Sequence, residues 1–152
     1  MLKYIKYFWY VVKHKWFVLL ECWKEGLYWQ GIIHDNSKFS KAEFGAYARY
    51  FYGSKKQAAG PLVKEKFDEA WKHHYQHNPH HWDYYLYPDR ITGEEKAAEM
   101  PKKYAKEMVC DWRGMGRVFG DSAADFYKLR KHGIALNVAT RMYVEELLGI
   151  YR

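Results

Sequence analysis

Apolar side chains recur at intervals of three and four residues along nearly the whole chain, which is the period of an α-helix. The first helix is predicted from about Leu2 to Gly26, and its continuation through Ile33 ends beside the pair His34-Asp35. The glycines near its end are expected to bend or divide it. The end of the long first helix is therefore followed by His34 and Asp35, two side chains that can bind a metal ion.

Helix start and stop signals divide the remainder of the chain. Ser40 to Glu43 has the spacing of a capping box, which predicts the start of a second helix, and a loop from Gly53 to Pro61 follows. A third helix from about Leu62 to His77 ends before Asn78, which is expected to cap a short helix beginning at Pro79. A second capping box is predicted at Thr92 to Glu95. Three more helices are predicted, at Pro101 to about Met115, near Ser122 to Lys131 and near Asn137 to Leu148.

The length and composition agree with one domain. The chain has 152 residues, of which 49% are hydrophobic and 20% aromatic, enough for one sizeable core. No repeat, low-complexity tract or linker divides it. The segment from Gly114 to Gly120 is interpreted as a helix end, because its glycine spacing departs from that of a nucleotide-binding loop. We expect an all-α fold, a compact single-domain helical bundle over residues 1–152.

The net charge of +7 favours anionic partners such as a phosphorylated substrate, nucleic acid or a membrane surface. The basic residues are scattered and form no nucleic-acid-binding arm. Cys22 and Cys110 lie far apart without a metal or redox spacing, and no secretory leader is visible, so we expect a reduced, cytoplasmic setting. Lysines interrupt the aromatic stretch from Tyr4 to Leu20 before the ~20 apolar residues needed to cross a bilayer. We predict a core helix there and no transmembrane segment, with a helix in a membrane interface as the alternative.

The adjacent pair His34-Asp35 offers an imidazole nitrogen and a carboxylate oxygen, a ligand set suited to Mn²⁺, Fe²⁺, Ni²⁺ or Zn²⁺. His14 shares its helix face with apolar residues, where the alternative is a hydrogen-bonded core histidine. Asp111 lies on an apolar face too, and a buried carboxylate there needs a metal ion or an arginine as partner. These residues are the first candidates for a metal site.

Five of the eight histidines lie between His73 and His81. Within this group, His77 lies about one helical turn from both His73 and His74, so two imidazoles can converge from one helix face. The proline that follows lets the later histidines approach from another direction. A solvated polar surface is the alternative interpretation.

The order of these residues resembles the HD-domain superfamily of metal-dependent phosphohydrolases: a histidine, then His-Asp, then further histidines, then an aspartate on successive helices. His34 to Lys38 also resembles that superfamily's His-Asp-x-Gly-Lys segment, with Ser37 in place of glycine. The chain is further similar to a small uncharacterised bacterial and bacteriophage family with His-Asp-x-Ser-Lys-Phe-Ser and Asn-Pro-His-His-Trp segments, here His34 to Ser40 and Asn78 to Trp82. That second resemblance implies no activity.

The superfamily resemblance implies an HD-like fold with one or two divalent transition-metal ions and an Asp35 that bridges them. The implied ligands are His14, His34, Asp35 and Asp111 in a primary centre and His74 and His80 in a second, with His73, His77 and His81 as further candidates. Such ions activate a bound water near neutral pH, which gives Asp35 its catalytic role and makes phosphoester hydrolysis the implied reaction. A nucleotide or another small phosphoester would be the substrate.

Lys38 and Arg113 are candidates for binding the substrate phosphate, Lys38 as a point charge and Arg113 as a planar fork. A solvated lysine and an arginine paired with a carboxylate are the respective alternatives. For the whole protein, two other functions stay open. The same ligands could hold a di-iron centre for oxygenation, or a non-catalytic protein could bind nucleic acid or a host protein through its basic aromatic surface.

Overall fold

The computed structural model describes residues 1–55 and 60–150. This part of the chain is mostly α-helical, so the predicted all-α class is confirmed. The described residues form seven α-helices: α1 (Leu2–Lys24), α2 (Tyr28–Ile33), α3 (Phe44–Tyr52), α4 (Pro61–His77), α5 (Lys102–Phe119), α6 (Ala123–Arg130) and α7 (Val138–Leu147). Single 3-10 turns lie at Asn36–Phe39, Trp82–Tyr85 and Lys131–Gly133. A small antiparallel sheet pairs β1 (Leu86–Pro88) with β2 (Glu95–Ala97), which the sequence patterns did not predict. Part of the predicted loop from Gly53 to Pro61 lies outside the described residues.

Helices α1 and α5 pack closely along each other at the centre of the molecule. A side chain at Gly114 of α5 would place its Cβ 2.5 Å from the Cγ2 and 3.0 Å from the backbone nitrogen of Val18, so only glycine permits this approach. His14, one turn before Val18, is buried on the same face of α1. The close approach therefore carries His14 to Asp111 of α5.

Two apolar clusters flank this helix pair. Helices α1, α3 and α4 bury Tyr7, Val11, Tyr47, Ala48 and Ala70. On the other side, α5, α6 and α7 with their connecting segments bury Met100, Ala105, Met108, Val109, Tyr127, Ile134 and Val144. The first helix thus contributes one face to the core, as predicted. No helix among the described residues is long and apolar enough to cross a bilayer.

Most predicted helix ends agree with the structure. The first helix is divided at Gly26, whose φ of +74° suits glycine. Helix α4 has almost the predicted bounds. Helix α5 extends beyond Met115 to Phe119, and Gly120 then adopts the left-handed conformation of a helix C-cap. The interpretation of the glycine-rich segment as a helix end is therefore confirmed.

The predicted capping box at Ser40 to Glu43 is wrong. Helix α3 begins at Phe44 without a side-chain cap, and the backbone carbonyl of Ser40 accepts from the amide of Phe44 at 3.0 Å. The Glu43 carboxylate instead accepts hydrogen bonds from His73 and His74. A tertiary contact therefore takes the side chain that a local cap would have used.

Two further start signals are also wrong. Asn78 caps no helix, because its side-chain amide donates to the carbonyl of His74 and to Ser37 Oγ, each at 2.7 Å, and the next residues form a turn. Thr92 lies in the turn that joins β1 to β2, where Asp89 accepts from the Ile91 and Thr92 amides. Local capping chemistry is present in both places, but it closes turns.

The helix starts predicted near Ser122 and Asn137 are confirmed, and the side chain of each of these residues caps its helix. Asn137 Oδ1 accepts from the amide of Ala139 at 2.9 Å at the start of α7. We expect Asn137→Ala to lower the free energy of unfolding by about 1 kcal/mol, because one amide at the helix start loses its partner. Urea unfolding followed by circular dichroism measures this, with Asn137→Asp as a control that keeps a capping oxygen. Equal stability of the alanine variant and the wild type would contradict the assignment.

Candidate metal centre

The site is organised around Asp35, in the turn that follows α2. Asp35 has φ +55°, and no other non-glycine residue in ranges 1–55 and 60–150 has a positive φ. Aspartate tolerates this left-handed conformation better than most residues, and such strain clusters at functional sites. Lys15 of α1 stabilises the turn by donating to the carbonyl of His34 and to Asn36 Oδ1. The turn places Asp35 in a fully buried position between α1, α4 and α5.

One carboxylate oxygen of Asp35 faces the other three residues implied for a primary centre, His14, His34 and Asp111. His14 Nε2 lies 3.2 Å from Asp35 Oδ2 and 3.2 Å from Asp111 Oδ1. His34 Nε2 lies 3.4 Å and 3.6 Å from the same two oxygens. Ligand bonds of about 2.0–2.2 Å to one ion require separations of this size between neighbouring ligand atoms. Side chains from three separate segments, which the resemblance to the HD superfamily implied as one centre, thus converge.

The other oxygen of Asp35 faces a second group of imidazoles. Asp35 Oδ1 lies 3.3 Å from His74 Nε2 and 3.4 Å from His80 Nε2. His81 Nε2 lies 2.9 Å from His74 Nε2. These four residues can each offer a ligand atom within 4.8 Å of the others. Asp35 therefore stands between two potential ligand sets, with one oxygen towards each.

The far nitrogens of three imidazoles contact buried carboxylates. Glu107 Oε1 lies 3.0 Å from His34 Nδ1 and 3.2 Å from His80 Nδ1, and Glu43 Oε2 lies 2.8 Å from His74 Nδ1. An imidazole that donates its Nδ1 proton to a carboxylate presents an Nε2 lone pair on the opposite side. All three Nε2 atoms then point towards Asp35, an orientation typical of metal-binding histidines.

We call the potential ligands His14, His34, Asp35, His74, His80, His81 and Asp111, with Glu43 and Glu107 behind them, the Asp35 cluster. The negative charge of this cluster favours the binding of a cation. Four buried carboxylates, those of Asp35, Glu43, Glu107 and Asp111, meet one lysine, Lys38. Several potential ligand atoms are buried and have no hydrogen-bond partner in the described part of the chain: His34 Nε2, Asp35 Oδ1, His80 Nε2 and Asp111 Oδ1. Such atoms are costly to bury unless an ion or a proton satisfies them. The donor set of imidazole and carboxylate suits a divalent transition metal.

The protonation of the cluster follows from the same charges. Burial raises the pKa of Asp35, but the charges of His34 and Lys38 outweigh it and hold that pKa well below its usual range. Burial, with repulsion from its neighbouring histidines, holds the pKa of His81 well below its usual value, so His81 is a neutral potential ligand. Burial also lowers the pKa of His34, but the surrounding carboxylates, Asp35 foremost, raise it to about 10. A proton therefore competes with a metal ion for His34 Nε2.

Three predicted residues do not contact Asp35 or the other potential ligands around it. His73 Nδ1 pairs with Glu43 Oε1 at 2.8 Å and is partly exposed, while His77 is exposed and stacks on His73. Arg113 donates to Glu25 Oε1 at 2.7 Å and to a helix carbonyl, so its prediction as a phosphate ligand is corrected. Two residues beyond Asp111, Arg113 lies on a different face of α5. The alternative, an arginine paired with a carboxylate, is the one observed.

Two functional side chains were missed from the sequence, Glu43 and Glu107. Glu107 precedes Asp111 by one helical turn, so the spacing on α5 was an available signal that both carboxylates share one face. Glu43 had no comparable signal, because its sequence context matched a helix cap. Both carboxylates contact Nδ1, the ring nitrogen that faces away from Asp35. Residue order alone does not reveal such contacts.

A cavity of about 450 Å³ adjoins the cluster. Lys38, which also contacts Asp35, lines it together with His81 and Asp111. Two buried polar atoms of the residues that line it, Tyr7 Oη and Asp83 Oδ2, have no hydrogen-bond partner within residues 1–55 and 60–150. The remaining lining is largely aromatic: Tyr10, Tyr47, Phe51, Phe67, Trp71, Trp82, Trp112, Phe119 and Phe126. The cavity can thus hold an organic molecule against the cluster.

Comparison with protein families matches residues 3–150 to one family, described as "Family of unknown function (DUF5662)". The comparisons with curated proteins and with solved structures found no match. The matched segment includes the whole Asp35 cluster and the cavity beside it. Because the match covers nearly the entire sequence, the chain belongs to the family of unknown function DUF5662.

Proposed function

We propose that the protein is an HD-type metal-dependent phosphohydrolase that acts on a nucleotide or another small phosphoester. The observation that carries this proposal is the position of Asp35 between two sets of potential ligand atoms, with one carboxylate oxygen towards each. A shared carboxylate is suited to a pair of divalent ions, and such pairs support phosphoester hydrolysis. The ligand order His14, His34-Asp35, His74, Asp111 along the chain supports the resemblance to the HD superfamily.

The bound ions would supply an activated water and Lewis acidity towards the phosphoryl group. The chain's own residues position this chemistry. Glu43 and Glu107 fix the ring orientations of His74, His34 and His80 by accepting from Nδ1. Lys38 contacts Asp35 and lines the cavity, which supports a role in binding a phosphoryl oxygen and offsetting its charge.

The cavity supports a substrate that carries an aromatic group. Its volume of about 450 Å³ falls in the range of small-molecule sites, and its walls offer several ring faces on which a planar base can stack. Tyr7 Oη and Asp83 Oδ2 have no hydrogen-bond partner among the described residues, which supports a substrate with polar atoms on that group. A nucleoside monophosphate combines these features with a phosphoester.

The test combines metal analysis with hydrolysis assays. We expect the purified protein to contain about two transition-metal ions per chain and to hydrolyse a member of a panel of p-nitrophenyl phosphate, nucleoside monophosphates and cyclic dinucleotides. His74→Ala should lose bound metal and activity, whereas His77→Ala, on the same helix but outside the cluster, should lose neither. A metal-free protein that stays inactive after loading with Mn²⁺, Fe²⁺, Ni²⁺ or Zn²⁺ would contradict the proposal.

A further inference from the structure

The outer face of α1 carries large aromatic side chains that the described residues leave open. Trp9, Trp16 and Trp23 are 63%, 56% and 48% exposed and follow one another at intervals of seven residues. This spacing aligns them on one side of α1, opposite the buried Val11 and Val18. Trp is seldom left so open on a soluble surface, because its ring is mostly apolar.

The exposed face continues from α1 onto α2. Tyr28 contacts Trp23 with ring centroids 6.0 Å apart, and Trp29 on the next position is 67% exposed. Ile5 and Ile32 are exposed as well. We call these side chains the tryptophan face: Ile5, Trp9, Trp16, Trp23, Trp29 and Ile32. From Ile5 to Trp23 this face extends over about 27 Å along α1, and exposed apolar surfaces of this extent mark binding sites.

The charges beside the tryptophan face are positive. Lys6 and Lys13 are exposed, and each lies three or four residues from a tryptophan of α1 and therefore next to it on the helix surface. Glu21, the acidic residue of α1, pairs with Arg117 and Lys24. Glu25, the C-cap of this helix, pairs with Arg113. The face therefore combines exposed aromatic rings with lysines that form no ion pair with an acidic residue in the described ranges.

We propose that the tryptophan face binds the surface of an anionic lipid bilayer. A helix with aromatic residues on one side and lysines beside them lies in the plane of the bilayer, with rings at the headgroup level and ammonium groups at the lipid phosphates. A second copy of this chain fits less well, because a two-fold contact would bring the lysine rows of both copies into the same interface without acidic partners.

The proposal is independent of the proposed enzymatic function. His14 lies on the buried face of α1, opposite Trp16, so lipid on the outer face leaves the metal cluster in place. Cosedimentation of the full-length protein with vesicles tests it. We expect binding to vesicles of phosphatidylcholine with phosphatidylglycerol, weak binding to phosphatidylcholine alone, and loss of binding at high salt.

Two variants, each with a matched control, distinguish the lipid contact from non-specific adsorption. Trp9→Ser with Trp16→Ser should weaken binding to the anionic vesicles at least about tenfold, whereas Leu129→Ser, an exposed apolar residue of α6, should not. Lys13→Glu should weaken it more than Lys128→Glu, which makes the same charge change elsewhere. Circular dichroism of each variant checks its fold. The proposal is overturned if the wild type does not bind anionic vesicles or if the double variant binds them as tightly as the wild type. It is also overturned if the wild type forms a stable dimer and the double variant is a monomer.

Discussion

Asp35→Asn is expected to release bound metal and to reduce phosphoester hydrolysis to background. The substitution removes the charge that faces both ligand sets and leaves an amide that is a poor metal ligand on either side. Asparagine is the informative replacement, because it keeps the volume of the side chain and tolerates the left-handed φ of +55° at this position. A loss of metal therefore reports on the carboxylate rather than on the turn.

Metal content per folded chain is the direct measurement, with hydrolysis of the best substrate as the second. Asp68→Asn makes the same chemical change on the exposed surface of α4 and should retain both metal and activity. Circular dichroism establishes that the Asp35 variant is folded. Full metal content in a folded Asp35→Asn protein would show that Asp35 is not a ligand and would remove the basis for a shared metal centre.

The fold was predictable where local signals decide the structure. The helical period gave α4 and α7 almost to the residue. The predicted helix start near Asn137 agrees with the structure because the cap that Asn137 forms involves only the first turn of its own helix. The start signal at Ser40 to Glu43 failed for the opposite reason. Glu43 forms a contact with His74, which is distant in sequence, and no local rule includes that competitor.

The candidate site shows the same division. The resemblance to the HD superfamily implied that His14, His34, Asp35 and Asp111 lie together, and the structure brings their side chains together. Helical spacing was insufficient for the histidines between His73 and His81, because it tells which rings share a face but not which face turns towards Asp35. In the structure His74 points inward, whereas its neighbour His73 reaches only the Glu43 carboxylate.

Glu107→Ala is expected to weaken metal binding by about 10- to 100-fold, the usual effect of removing a carboxylate that orients metal-binding histidines. Glu107 Oε1 accepts from His34 Nδ1 at 3.0 Å and contacts His80 Nδ1 at 3.2 Å, so one substitution frees two rings, one from each ligand set. Both rings could then rotate or change tautomer, and their Nε2 atoms would no longer be held towards Asp35. Competition with a chromophoric chelator measures the Kd for the metal.

A graded series separates this positioning role from a merely structural one. Glu107→Gln should bind metal more tightly than Glu107→Ala but less tightly than the wild type, because an amide oxygen still accepts from both rings without the charge that increases their basicity. Glu65→Ala, an exposed glutamate of α4, should bind like the wild type. Thermal unfolding of the metal-free proteins gives the structural contribution. If Glu107→Ala lowers that stability while the Kd for metal stays unchanged, Glu107 supports the core and does not orient the ligands.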